Sequence, residues 1–278
     1  MNILVTLNRG YLKYLKVMLF SLCENNPQDH FDIYVVHNSL TKEDFYELSL
    51  VKDNISCHSV EVPSEFLQDA PTTDRYPKEM YYRIFVSRLL PKTVDRVLYL
   101  DPDIVVINSI DKLYNIDLEG NLFAAASHLE EKGIMTAVND IRLSVPMGTG
   151  YYNSGVMVMD LEKLRQELSE EDIFDFIRRH KSSLILPDQD VLNGVYGDRV
   201  KSLNPYIYNL SDRILTIHNV KNLQTEKKIF PDWVDKNTVI IHYCGRNKPW
   251  KEKYVGELDF YYKIYERLLE EKEAGMPK

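Results

Sequence analysis

Asp101-Pro102-Asp103 sets two carboxylates one rigid residue apart, between the apolar runs 96–100 and 104–107. Side chains so spaced can aim oxygens at one hard cation, and Mg²⁺ or Mn²⁺ takes such ligands and shares them with substrate phosphates. Asp and Pro are also ordinary turn residues, so the tripeptide alone leaves a turn as the rival reading. A second cluster is His242-Tyr243-Cys244-Gly245, followed by Lys248-Pro249-Trp250. A His at the end of an apolar strand offers a neutral nitrogen to a divalent metal. Gly245 lets backbone approach a phosphate, and Lys248 would offset its charge. The plain alternative is a strand-end His and a solvated loop Lys.

Leu186-Pro187-Asp188-Gln189-Asp190 precedes a predicted helix, where Asp is a common N-cap. A cap accounts for one of its three polar residues. Polar side chains at such a junction can also hold sugar hydroxyls. Asn153-Ser154-Gly155 stands at a predicted strand start, where glycine permits close approach or simply makes a turn. Arg83, after Tyr81-Tyr82 in an otherwise apolar helix, is either a structural ion pair or a donor to substrate phosphates and hydroxyls.

These residues need a scaffold, and the apolar pattern predicts one. A strand over 3–7 breaks at Asn8-Arg9-Gly10. A helix over 11–24 follows, with Leu12, Leu15, Leu19, Leu22 and Cys23 at helical spacing. Asn25-Asn26-Pro27 stops it. A strand over 31–37, a helix from Thr41 with Asp44 placed as in a capping box, and a strand over 55–62 complete a β-α-β-α-β run. Such a run predicts an α/β fold with a mostly parallel central sheet flanked by helices. A helix is predicted over 79–90, ended by Pro91. Further strands are predicted over 122–127, 153–160 and 239–242, and helices over 162–168, 172–180, 188–195 and 257–271. Residues 130–149 read as irregular or mobile, and 201–226 as poorly periodic. One domain over 1–250 with a C-terminal helical extension over 251–278 is the expected organisation.

Composition narrows the function. The chain has 278 residues, 44% of them hydrophobic, which is ample for a full core. A formal charge of −8 argues against a general nucleic-acid binder. Cys23, Cys57 and Cys244 stand far apart with no CxxC pair, so neither a disulfide framework nor a zinc ribbon is expected. No basic leader precedes the first apolar run, and no stretch reaches the ~18 apolar residues of a membrane span. A soluble, cytoplasmic protein is expected, with peripheral contact at the inner face of a membrane left open. Lys248, Lys251 and Lys253 with Trp250 and Tyr254 could rest on an anionic membrane surface, or form a solvated loop.

The order of the clusters resembles glycosyltransferase family 8, which includes bacterial lipooligosaccharide galactosyltransferases and glycogenin. The matching pieces run from Ile3 to about Trp250: Leu4-Val5-Thr6-Leu7-Asn8 with Tyr11, Tyr82-Arg83, Leu100 to Ile104, Tyr152 to Gly155, Asp188 to Asp190, and His242 to Gly245 with Lys248-Pro249-Trp250. Each piece is weak alone; their joint order is specific. The resemblance implies a GT-A-type fold whose Rossmann-like half binds a UDP-sugar. It implies Mn²⁺, with Mg²⁺ as the alternative, held by Asp101, Asp103 and His242 and bridging the two phosphates. Thr6 and Asn8 would line the uracil and Tyr11 would stack on it. Asp101, Pro102, Asp103, Gly245 and Lys248 would surround the diphosphate. Arg83, Asn153, Asp188 and Gln189 would surround the donor sugar. The family often carries Asp where this chain has Asn8, but an amide oxygen can still accept from the uracil N3–H.

The resemblance also implies retention of anomeric configuration and places Gln189 near the anomeric carbon. An amide is a poor nucleophile, so departure and attack on one face are expected, with Asp188 orienting hydroxyls. The expected reaction moves glucose or galactose to a glycan or glycolipid acceptor. The rival readings are a metal-dependent nucleotidyltransferase or phosphohydrolase, and a catalytically silent nucleotide-sugar-binding protein. The lack of a P-loop or GxGxxG counts against the first of these.

Overall fold

The computed structural model describes residues 1–63, 65–66, 79–127 and 134–275. Its centre is a seven-stranded sheet, formed by β1 (Asn2–Thr6), β2 (Phe31–His37), β3 (Ile55–Glu61), β4 (Arg96–Leu100), β6 (Phe123–Ser127), β7 (Tyr152–Asp160) and β8 (Val200–Leu203) in the order β3-β2-β1-β4-β7-β6-β8. The β3-β2-β1-β4 half is parallel throughout; β7 is antiparallel to both neighbours, and β8 is parallel to β6. The remaining strands, β5 (Ile104–Val106) and β9 (Ile240–His242), form a separate antiparallel pair.

The inner strands are unbroken apolar runs because both sheet faces are covered. Ile3, Val5, Ile33, Val35, Leu98 and Leu100 point to one face, against the helix Leu12–Glu24. Leu4, Val36, Val97, Tyr99 and Met157 point to the other, against Phe85, Phe174, Ile177 and Leu192. Nine of the thirteen residues of Leu12–Glu24 are buried, so that helix is enclosed rather than half-exposed. It is flanked by β5 and by the C-terminal helix Asp259–Ala274, which adds Tyr261, Tyr262 and Leu269 to the same core. The predicted capping box is present: Thr41 accepts from Asp44 N, and Asp44 accepts from Thr41 N.

Three expectations are corrected. The predicted helix over 79–90 is two short helices, Glu79–Tyr82 and Val86–Leu89. The break lets Tyr82 and Val86 join Tyr81 and Phe85 in the core while Arg83 turns toward the strand ends. Residues 130–149 are not irregular throughout, since Ile134–Leu143 is a helix; 130–133 lie outside the described residues. This helix was hidden because Val138 and Ile141 on its outer side are exposed and blur the polar stripe. The stretch 201–226 holds most of β8 and the helices Pro205–Tyr208 and Asp212–Lys221, capped by Asn204 and Ser211.

The topology locates the site. From β2 and β3 on one side of β1, the chain crosses to place β4 on the other, so the order reverses between β1 and β4. Open α/β sheets bind ligands outside the carboxyl ends of strands at such a point. Thr6 ends β1, and Asp101 directly follows β4.

Candidate active site

Asp101 leaves β4 with its N–H donating to Gly155 O of β7 at 2.8 Å. Its Oδ1 accepts from Tyr99 OH at 2.6 Å, and that hydroxyl also lies 2.9 Å from Thr6 Oγ1. Burial pushes the Tyr99 phenol far above its ordinary range and Asp101 adds to this, so it remains a donor. Three residues on, β5 begins. In its antiparallel pairing with β9, Ile104 faces His242, which brings His242 beside Asp103. His242 Nε2 lies 3.3 Å from Asp103 Oδ1 and 3.7 Å from Asp101 Oδ2. One ligating atom from each of Asp101, Asp103 and His242 falls within 4.8 Å of the others.

The donor set, two carboxylate oxygens and an imidazole nitrogen, suits a divalent cation. His242 is 1% exposed, and its Nε2 has no hydrogen-bond partner among the described residues, which a cation would supply. Gly155 makes the approach possible. A Cβ there would stand 2.3 Å from His242 Cε1 and 2.5 Å from Asp101 Oδ2. Lys248, itself buried, donates to Asp103 Oδ2 and to Tyr243 O, the latter at 2.8 Å. Burial raises the Asp103 carboxyl, but the His242 ring and the Lys248 ammonium outweigh it and hold the group well below the usual carboxylate range.

Arg83 bridges the strand ends and the next helix. Its Nη1 lies 3.2 Å from Asp101 Oδ1 and 3.2 Å from Asp188 Oδ2, and it donates to Ser154 O and Oγ at 3.3 Å. The guanidinium also stands over the Tyr99 ring at 4.8 Å. Its Nε is buried with no partner among the described residues.

The helix Pro187–Tyr196 begins with Pro at its first position and carries the polar triplet. Its three polar residues have separate fates. Asp188 faces Arg83 and lines the cleft. Gln189 is 3% exposed, and its Oε1 accepts from Asn153 Nδ2 at 3.0 Å and Ser154 N at 3.4 Å. Asp190 is fully buried and accepts from Arg142 (2.7 Å to each oxygen), Tyr151 OH (2.6 Å), Ile185 N (2.6 Å) and Leu186 N (3.0 Å). The expectation that Asp190 could hold sugar hydroxyls is therefore corrected, because its oxygens are consumed holding the loop and helix together. Asn193, one turn on, clamps Tyr152 by accepting from its N–H at 2.7 Å and donating to its carbonyl at 2.8 Å.

Thr6, Asn8, Tyr11, Arg83, Asp101, Pro102, Asp103 and Asp188 line one cleft of about 360 Å³. It meets a second of about 620 Å³ at Arg83, Asp101, Asp103 and Asp188, where Asn153, Gln189, His242 and Gly245 continue the lining. Lys248 faces a third hollow with Asn8, Tyr11 and Gly245. The residues marked in the sequence thus border contiguous space. Tyr11 is 36% exposed, leaving ring surface free to stack, and Asn8 Oδ1 accepts from Gly10 N at 3.0 Å. Gly245 takes a φ of 84°, the left-handed region that favours glycine. Cys244 also lines the second cleft; burial pushes its thiol up to about 11, so it enters as a neutral S–H.

Sequence reasoning missed Asn209. It is 1% exposed, its Oδ1 faces His242 Nδ1 at 2.8 Å, and its Nδ2 donates to Asn153 Oδ1 at 2.9 Å. Nothing in Tyr208-Asn209-Leu210 distinguishes it from a turn Asn. Arg142, which lines the second cleft while pairing with Asp190, was also missed.

The sequence pattern described as "Glycosyl transferase family 8" matches residues 2–254. Lipopolysaccharide 1,2-glucosyltransferase of Escherichia coli (strain K12) is 29% identical over 270 residues, covering 95% of this chain and 77% of that protein. General stress protein A of Bacillus subtilis (strain 168) is 27% identical over 257 residues, covering 90% of this chain and 87% of that protein. Among solved structures, galactosyltransferase LgtC in complex with donor and acceptor sugar analogues superposes with a TM-score of 0.78 at 23% identity, covering 100% of this chain and 98% of that one. At that identity the likeness speaks for the fold, which is of the GT-A type.

Proposed function

The chain belongs to glycosyl transferase family 8, and on that premise we propose that it transfers a hexose, glucose or galactose, from a UDP-sugar to a glycan or glycolipid acceptor with retention of configuration. The observation that carries this reading is the Asp101-Asp103-His242 cluster at the strand-order reversal, opening directly onto the cleft with Asp188 and Gln189. A divalent cation held there, Mn²⁺ or Mg²⁺, would supply positive charge to the diphosphate of the departing UDP.

The chain's own residues divide the remaining work. Tyr11 stacks on the uracil, with Thr6 and Asn8 at its edge. Gly245 leaves its backbone open to the diphosphate beside Pro102, and Lys248 adds charge. Arg83, Asn153 and Asp188 hold the donor sugar by its hydroxyls. Retention through a covalent intermediate would need a free carboxylate near the anomeric carbon. Asp190 has no free oxygen for this, and Asp188 is tied to Arg83. Gln189, an amide, has its Oε1 occupied and its Nε2 unpartnered among the described residues, which fits a donor to the reacting sugar. Departure and attack on one face follow, with the leaving phosphate oxygen taking the acceptor proton.

Among the described residues no helix is long and apolar enough to cross a membrane. Of the basic and aromatic residues near 250, Lys248 is buried on Asp103, Trp250 stacks on Tyr14 at 3.7 Å, and Tyr254 donates to Asp212. Lys251 and Lys253 remain exposed for contact with an anionic surface beside the acceptor.

A screen of UDP-sugars with Mn²⁺, read by thermal stabilisation and by UDP release, tests the reading. One hexose donor should stabilise the protein, with slow hydrolysis that chelator stops and Asp103→Ala abolishes. Release of inorganic phosphate without an acceptor would overturn it in favour of a phosphohydrolase. UDP binding that ignores metal would indicate a silent binding protein.

A further inference from the structure

The metal cluster and the sugar cleft are joined by a row of three buried carboxamides, and the direction of every hydrogen bond in that row is set by backbone. Gly155 N donates to Asn153 Oδ1 at 3.1 Å, and Ser154 N to Gln189 Oε1 at 3.4 Å. A backbone N–H can only donate, so both oxygens are identified. Asn153 must then present Nδ2 to Gln189 Oε1, as its 3.0 Å contact requires. The Asn209 atom facing Asn153 Oδ1 must also be a donor, hence Nδ2, at 2.9 Å. Asn209 Oδ1 is left facing His242 Nδ1 at 2.8 Å, so that ring nitrogen carries the proton. At the two ends of the row lie two buried nitrogens without partners among the described residues, His242 Nε2 and Gln189 Nε2.

We infer that Asn209 is a positioning residue. It fixes His242 as the Nδ1–H tautomer with Nε2 turned to Asp101 and Asp103, and through Asn153 it keeps Gln189 Nε2 turned away from the row. The backbone around it is built for that role. Leu210 N donates to Ile240 O at 3.0 Å and Leu210 O accepts from His242 N at 2.7 Å, so Asn209 and His242 are locked side by side. An imidazole that binds a metal through one nitrogen commonly donates from the other to a fixed acceptor, and loss of that acceptor costs about 10–100-fold in metal affinity. Here the acceptor is itself oriented by the residues of the sugar cleft. The inference rests on the reading of Asp101, Asp103 and His242 as ligands, and not on the identity of the donor sugar.

The test begins with the wild-type protein carrying ¹⁵N-labelled histidine and saturated with Mg²⁺, which is diamagnetic. The His242 signal, assigned by its loss in His242→Gln, should show Nδ1–H; an Nε2–H tautomer overturns the inference. Titration with Mn²⁺ alone, read by electron paramagnetic resonance of the free ion, should show Asn209→Ala weakened about 10–100-fold. Affinity within about threefold of wild type in a folded Asn209→Ala protein also overturns it. Asn209→Asp fills nearly the same space and still accepts from His242, but turns a second acceptor on Asn153. It should keep Mn²⁺ binding and lose kcat with little change in KM for the donor. Equal loss of Mn²⁺ affinity in both variants would instead mark Asn209 as merely structural. The tautomer and the Mn²⁺ titration do not depend on transfer, so they stand even if no UDP-sugar proves to be a substrate.

Discussion

At the scale of single residues, Asp188 and Asp190 are the instructive pair. In sequence they are two acidic residues beside a helix start, and nothing separates them. In the structure one faces a cleft and the other is sealed by five hydrogen bonds. Burial alone would raise the Asp190 carboxyl, but Arg142, Tyr151 and the Ile185 N–H more than reverse this and lower it. The sign of the pH effect follows. A group depressed on folding stabilises the protein above its unfolded pKa, ~3.9 for Asp, and that contribution is lost as pH falls through the lower folded value. Asp190→Asn leaves Arg142 facing a neutral amide, and breaking such a buried pair costs about 3–5 kcal/mol. Urea unfolding should therefore show the variant less stable at neutral pH, with the gap narrowing below about pH 4. A gap unchanged at low pH would assign the loss to packing alone. Asp101, Asp103 and His242 were legible because each is a polar residue abutting an apolar run, Gly155 because it opens one, and Lys248 because it closely follows His242 and Gly245. Asn209 and Arg142 were not, because what they do depends on partners distant in sequence.

At the scale of elements, legibility followed length and burial. The inner strands stood out as unbroken apolar runs, and Leu12–Glu24 as a long periodic stretch. Elements of three or four residues, such as Val86–Leu89 and Pro205–Tyr208, leave no period to read. The helix pair Glu170–His180 and Pro187–Tyr196 offers a test in which two effects oppose. Gly194 lies inside the second helix, where replacement by Ala should gain up to about 1 kcal/mol in helix propensity. A Cβ there, however, would meet Phe176 Cζ at 2.0 Å, and Phe176 is itself packed in the core at 5% exposure. Overpacking a core typically costs about 1–3 kcal/mol, which is the larger effect. Gly194→Ala should lower the melting temperature, and an increase would show that Phe176 has room to turn aside.

At the scale of the whole molecule, the predicted α/β class and the mostly parallel sheet agree with the structure, while the β5–β9 pair outside that sheet was not foreseen. Its strands are three residues each and lie far apart in sequence, so no local pattern announces their partnership. The helix Asp259–Ala274 matters to the whole in a way that its charged surface conceals. It buries Tyr261, Tyr262 and Leu269 against the core around Leu12–Glu24. Each such side chain is worth about 1.5–3 kcal/mol when fully buried. Three together rival the total stability of a domain, about 5–15 kcal/mol. Removal of residues 259–278 should abolish a cooperative thermal transition or lower its midpoint sharply, whereas a melting curve like that of the intact chain would show that the helix is dispensable. The β5–β9 pairing also bears on how the molecule comes to be. Ile104 and His242 are neighbours only across an interval of nearly half the chain, and closing so long a loop is slow and entropically costly. No fragment that stops short of His242 can complete the cation cluster, however well its sheet has formed. Metal affinity therefore marks the arrival of the last ligand, and gives a natural clock for the closing stage of folding.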